Sequence, residues 1–184
     1  MVDLALLQSV SYIAGALGVC VAAFYYVVNL REMNKNRRIT LTTTMMHPFM
    51  TVEGLRQFNN LISMDWKDLD DFSKKYDGRV NPQNYAERLS MWNLCENLGL
   101  LYREGMIDLK TLYGGSSFII QITWLKFKSV IELQRGADFT KNHFSNFEYL
   151  AEELNEYHRV RFGEDYMSRM QGIMGEFAKA QKIS

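Results

Sequence analysis

From Leu4 to Leu30 the chain carries no charged residue, and the basic cluster Arg31, Lys35, Arg37 and Arg38 comes directly after it. A helix that crosses a bilayer needs about 20 predominantly apolar residues, so this run has a turn or two to spare. The remainder of the chain is expected to be a domain tethered to a membrane. A cleaved signal peptide is the competing reading. Such a peptide has a basic leading region, an apolar core of about 7–15 residues and a small-residue cleavage site. Here the only charge before the run is Asp3, and the run ends in Phe24-Tyr25-Tyr26-Val27-Val28. An uncleaved anchor with a juxtamembrane helix is therefore expected over residues 1–46. Positive charge stays cytoplasmic, which places the N-terminus outside and residues 31–184 in the cytoplasm. Tyr25 and Tyr26, with the four basic residues, form the expected membrane interface.

Behind the anchor, about 150 residues are the usual size of one domain. Pro48 and Pro82 are the only prolines, so little interrupts helices. The fold class is all-α: a helical cytoplasmic domain over residues 47–161 and a C-terminal amphipathic helix over residues 162–184. Lys plus Arg number 21, as do Asp plus Glu, which argues against a dedicated nucleic-acid binder, since these show a basic face. The basic patch at residues 31–38 reads first as a topology signal, with contact to anionic headgroups as the alternative. Cys20 and Cys95 are isolated, which fits a reducing compartment and gives no zinc spacing.

The anchor helix is expected to continue to about Met46 and to break or kink at Pro48. A second helix runs from about Thr51 to Ser63, with Val52, Leu55, Phe58, Leu61 and Ile62 on one face. Asp65 can cap a short helix holding Trp66, Leu69, Phe72 and Tyr76, which Asp77-Gly78 ends. Asn81-Pro82 is a strong start signal for a helix to about Glu104, stopped by Gly105. Asp108 opens a short helix that ends at Gly114-Gly115. Ser116 or Ser117 starts the next, which runs to about Arg135. Its first half, Phe118 to Leu125, is apolar almost all round and reads as the central helix of a bundle. Ser145-Asn146-Phe147-Glu148 has the pattern of a capping box for a helix to about Arg161, and Glu164 to about Lys182 forms the last.

Certain runs along these helices resemble a prokaryotic family known only as a domain of unknown function, numbered forty-seven-sixty. They are Asp65-Trp66-Lys67-Asp68-Leu69-Asp70-Asp71-Phe72, Asn81-Pro82-Gln83-Asn84-Tyr85, Glu96 through Gly105, Trp124, and Asn146-Phe147-Glu148-Tyr149-Leu150. The resemblance spans about Trp66 to Leu150, with the tail from about Arg159 as an addition. It implies one N-terminal span, a basic juxtamembrane helix and a helical cytoplasmic domain at a prokaryotic inner membrane. It implies no activity and no catalytic residues.

No reactive constellation is legible. His47, His143 and His158 have no second His or Cys at helical ligand spacing, so no metal or cofactor is expected. His158, near Glu153 and Glu156, reads as part of a solvated polar face. Ser116, after two glycines, reads as a helix cap. Glu96 is unusual, because it lies on an otherwise apolar side of its helix. A buried carboxylate needs a partner or it neutralises, and Arg103, Lys126 and Lys128 are the candidates. Met45, Met46, Met50, Met167, Met170 and Met174 read mostly as core filler, with the last three as a possible partner face.

The anchor itself carries small residues at four-residue spacing, Ala14, Gly18 and Ala22. Such faces let transmembrane backbones approach closely. Gln8, Ser9 and Ser11 add hydrogen-bonding groups near the outer end. The expected partners are the bilayer and another transmembrane helix, from the same or a different chain, with no small-molecule substrate. The chain is thus expected to be a membrane-anchored interaction module or accessory subunit rather than an enzyme. The alternative is a self-associating assembly that forms a pore or relays a signal.

Overall fold

A computed structural model describes residues 4–114, 116–136, 141–163, 168–169 and 172–173. Among these the fold is all-α, with seven helices: α1 (Leu4–Met50), α2 (Val52–Ser63), α3 (Leu69–Tyr76), α4 (Pro82–Arg103), α5 (Leu109–Tyr113), α6 (Ser117–Gln134) and α7 (Ser145–Phe162). The chain divides into two units, Met1–Thr40 and Leu41–Ser184. The expected C-terminal helix, with Met167, Met170 and Met174, lies outside the described residues apart from two short pairs.

The first unit is helix alone. Its described residues, 4–40, are all exposed, and Leu6, Ile13, Leu17 and Phe24 each leave more than half their surface open. The second unit is a bundle. α4 and α7 share the most extensive contact, α6 packs on α7, and α2 packs on both α6 and α4. α6 is central, as its apolar run predicts: Ile119, Ile120, Ile122, Trp124, Phe127, Val130 and Ile131 are all buried. Edge-on or stacked ring pairs tie it in: Trp66–Phe127, Trp92–Phe127 and Trp124–Phe147, with centroids 5.6, 5.3 and 5.2 Å apart.

Pro48 does not end α1, which runs through it to Met50. The break falls instead at Thr51, whose extended backbone caps α2. The Thr51 hydroxyl donates to the Pro48 carbonyl at 3.0 Å and accepts the Gly54 amide at 2.9 Å. A helix loses one amide donor at proline, but here proline lies in the last turn and its own carbonyl is held by the cap. Gly54 sits so close to that carbonyl that a Cβ would overlap it. α2 buries Phe58 and Leu61, while Val52 and Leu55 are exposed, so the predicted apolar face is shorter than its sequence spacing.

Other starts differ in the residue that caps. Asp68, not Asp65, caps α3: it accepts the Asp71 amide at 2.8 Å, and the Asp71 carboxylate accepts the Lys67 amide at 3.0 Å. Trp66 therefore lies before α3. Asn81 caps α4 and Asp108 caps α5 as expected, through bonds to the Asn84 and Thr111 amides of 3.1 and 2.8 Å. Gly105 follows α4 at φ 66°, a left-handed position that favours glycine. Ser116 occupies the cap position of α6, but its hydroxyl makes no capping bond. The Ser145 capping box does not form. Phe144 holds the cap position of α7 at φ 57°, with its ring buried in the core, and Ser145 is the first helical residue.

Polar residues interrupt the apolar pattern of α6: Ser117, Gln121 and Thr123 are all buried, and Gln121 carries the largest polar group. Gln121 is 2% exposed, and neither its Oε1 nor its Nε2 has a hydrogen-bond partner. A buried polar group without a bond costs about 1–3 kcal/mol. Gln121→Met keeps the length of the side chain and removes both orphaned atoms. It is expected to raise stability by about 1 kcal/mol or more, read as a higher urea midpoint with an unchanged slope. A loss of similar size would show that the amide is bonded in solution.

Candidate functional site

Two regions carry the residues singled out above: the exposed apolar helix and the seam between α4 and α7. On the helix, Ala14, Gly18 and Ala22 lie one above another on one face, as residues four apart do. All three are exposed. A Cβ added at Gly15 or Gly18 would meet nothing within 4 Å, so the described chain leaves this face open. The nearby polar groups are largely satisfied by the helix itself. Ser9 donates to the Ala5 carbonyl at 3.0 Å and Ser11 to the Leu7 carbonyl at 2.9 Å. Gln8 Nε2 lies 3.5 Å from the Tyr12 hydroxyl. Internal bonding of this kind is what a helix in hydrocarbon requires. Tyr25, Tyr26, Arg31, Lys35, Arg37 and Arg38 lie further along the same helix, all exposed. This helix is long and apolar enough to cross a membrane.

The α4–α7 seam is built around Glu96. Arg103, Lys126 and Lys128 are not its partners. The carboxylate instead receives the Phe147 backbone amide at 2.7 Å and the Asn146 side-chain amide at 2.8 Å. Glu96 thus supplies the cap that Ser145 does not: an anion at the amino end of α7, where unpaired amides and the helix dipole favour negative charge. Three residues on, Gly99 lets the two backbones meet, and a Cβ there would overlap the Asn146 carbonyl. One turn further, Arg103 donates to Asn146 Oδ1 at 3.0 Å and lies 4.6 Å from the Tyr149 ring centroid. Tyr102 stacks on Tyr149 and donates to Glu153 at 2.9 Å. Burial, with the Glu153 carboxylate adding to it, pushes the Tyr102 hydroxyl up to about 12. Glu148, the acid of the expected box, pairs with Arg135 at 2.6 Å, while Arg135 also donates to the His143 and Phe144 carbonyls. Lys126 lies over the Trp66 ring, and Lys128 is 3.8 Å from Glu132.

Glu156 lies on a solvated face as predicted, but His158 does not share it. His158 is 2% exposed and packs edge-on against Tyr113 and Phe162, and burial lowers its pKa. Glu153 is occupied by Tyr102, and Glu156 by Arg159. Of the methionines, Met46 is buried and Met45 partly so, but Met50 is exposed.

Arg88 was not singled out by the sequence. It is 2% exposed, donates to Asn84 Oδ1 at 3.0 Å and to the Tyr76 carbonyl at 3.2 Å, and lies among the Phe72, Tyr85 and Trp92 rings. Burial lowers its pKa. The signal was present as helical spacing: Asn84, Arg88 and Trp92 share one face of α4. Its contacts join α3 to α4, which is a packing role. Among the described residues, no group of three or more His, Cys, Asp or Glu side chains is placed to hold a metal ion.

Comparison with known proteins adds one match. The profile of a family described as a domain of unknown function (DUF4760) covers residues 12–154. It starts inside the apolar helix, well before Trp66, and ends just before Arg159. No curated protein and no solved structure matches.

Proposed function

The chain belongs to this family, and on that premise we propose that it is a membrane-anchored helical interaction module, an accessory subunit of a membrane complex that acts through protein contacts. One observation carries the reading. The apolar residues of 4–30 are exposed along the whole run, whereas α6 in the second unit buries its own. Apolar surface on this scale marks a site of contact with membrane or protein. Lipid covers the run, and the Ala14, Gly18, Ala22 face receives another helix. In this reading the second unit lies in the cytoplasm of a prokaryotic cell and the N-terminus outside, an orientation that the basic flank supports. Self-association through the same face is the second reading. The internal bonds of Ser9 and Ser11 weaken the case for a shared polar axis.

Two measurements test this. A reporter fused after Ser184 is expected to be active only in the cytoplasm, and periplasmic activity would overturn the orientation. Cross-linking in native membranes is expected to trap the chain with a second helix. Gly18→Leu and Ala22→Leu add bulk where backbones would touch, and lipid supplies no hydrophobic drive to compensate. Each should lower the cross-linked fraction, because small residues are what let the two backbones approach. Unchanged cross-linking in both variants would remove the small face from the mechanism. A trapped species containing only this chain would select the second reading.

A further inference from the structure

We infer that the juxtamembrane part of α1 is a binding surface for anionic phospholipid headgroups, with Arg31, Lys35 and Arg38 as its contacting face. The inference rests on the membrane-anchor reading and specifies the lipid. Three observations carry it.

The first is geometry. α1 continues without a break through residues 31–40, so spacings of four and three residues place Arg31, Lys35 and Arg38 on one side. The same spacing continues backward through Val28 to Phe24. One stripe therefore passes from apolar to cationic along the helix. From Arg31 to Arg38 it climbs about 10 Å at ~1.5 Å per residue, the depth of a headgroup layer and the water next to it.

The second is charge. In the second unit several cations have a carboxylate partner: Arg56 with Glu53, Lys74 with Asp70, Lys75 with Asp71, Arg135 with Glu148 and Arg159 with Glu156. Glu32 is the only acidic residue between Leu30 and Val52. Among the described residues, Arg31, Lys35 and Arg37 form no ion pair with Glu32 or with any other carboxylate. A chain with no net charge thus sets four cations, Arg31, Lys35, Arg37 and Arg38, against one acid at one end of the apolar run. Clusters of four or more Lys and Arg at that place attract anionic lipid.

The third is length. The uncharged run Leu4–Leu30 spans about 40 Å as helix, against a hydrocarbon core of ~30 Å. A span longer than the core accommodates by tilting. Tilt toward the Phe24, Val28 side lays the Arg31, Lys35, Arg38 stripe along the phosphates instead of carrying it straight out into water. Arginine suits this site, because its planar fork binds a phosphodiester through two parallel bonds.

The test uses the full chain reconstituted into vesicles of phosphatidylcholine alone or with phosphatidylglycerol. Spin-labelled versions of each lipid report the fraction immobilised on the protein. About fivefold or greater enrichment of phosphatidylglycerol over phosphatidylcholine is expected at low salt, falling toward unity at ~1 M salt, where charges are screened within about 3 Å. The triple variant Arg31→Gln, Lys35→Gln, Arg38→Gln should abolish the enrichment. Arg56→Gln with Lys74→Gln, which removes charge from the second unit, should leave it intact. Equal immobilisation of both lipids by the wild-type chain overturns the inference alone. Enrichment that survives the triple variant places the lipid site elsewhere and overturns it as well. Release of the chain from both vesicle types by alkaline carbonate overturns the anchor reading, and this inference with it.

Discussion

Trp124→Ala is expected to lower the stability of the helical unit by about 3–5 kcal/mol, the range for truncating a buried aromatic. Trp124 is 6% exposed on the central helix. Its ring meets Phe147 edge-on at 5.2 Å, and the Arg135 guanidinium lies 6.0 Å from its centre. Phe147 is also the residue whose amide Glu96 caps. Truncation therefore opens a cavity beside the first turn of α7, where backbone and side-chain restraints converge. Collapse around the gap is limited, because α4 already holds that turn at closest approach through Gly99. Urea unfolding of the full chain in mild detergent, monitored by the fluorescence of Trp66 and Trp92, reads the effect without the signal of the anchor. A loss below about 1 kcal/mol would place Trp124 at the surface and refute the central role of α6.

Gly99→Ala is expected to destabilise by about 2–3 kcal/mol, although helix propensity alone favours the change. Alanine gains about 1 kcal/mol over glycine in a helix interior. Against this stands a methyl group within overlap distance of the Asn146 carbonyl oxygen. A backbone oxygen in a helix cannot swing aside as a side chain can. Relief requires α4 and α7 to separate, which lengthens the bonds of Glu96 to Asn146 and Phe147 and that of Arg103 to Asn146. The loss is therefore shared over several contacts and exceeds the gain in propensity. The measurement is the same urea titration, with amide exchange at Phe147 as the local reading. Stabilisation in Gly99→Ala would show that propensity wins and that the two helices are not held at that distance.

The helices themselves were legible because each is written in local chemistry. Asn81-Pro82 places an acceptor and a preset φ side by side, and both act within one turn of the chain. Asp108 and Gly105 act over the same distance. The uncharged run of α1 needs no partner to be recognised, only a count of residues. The all-round apolar character of α6 likewise identified the helix that other elements must cover.

What failed was every inference that needed to know which groups compete for a residue in space. Ser145 and Glu148 have the spacing of a capping box, but Glu148 is taken by Arg135 from the end of another helix and the cap position passes to Phe144. Asp65 and Asp68 each have an aspartate three residues on, and the fold uses Asp68, which accepts the Asp71 amide while Asp71 accepts that of Lys67. His158 looked solvated because Glu153 and Glu156 flank it in sequence, yet both acids are occupied elsewhere and the ring turns inward.

The family-like runs show the division most clearly. Along the chain, Glu96 through Gly105 and Asn146 through Leu150 are two separate stretches, and the first holds one odd acid. In the fold they are the two sides of one seam. Glu96 faces an amide some fifty residues away, Gly99 is small because a carbonyl from that same segment occupies the space, and Arg103 completes the contact. The apolar helix, the order of the helices behind it and the ends of most of them were readable from residue order, because they depend on periodicity and on bonds within a turn. The partners of Glu96, Arg88, Arg135 and His158 were set by the packed bundle, because burial and charge pairing depend on which helix faces collide. No spacing within one segment encodes that.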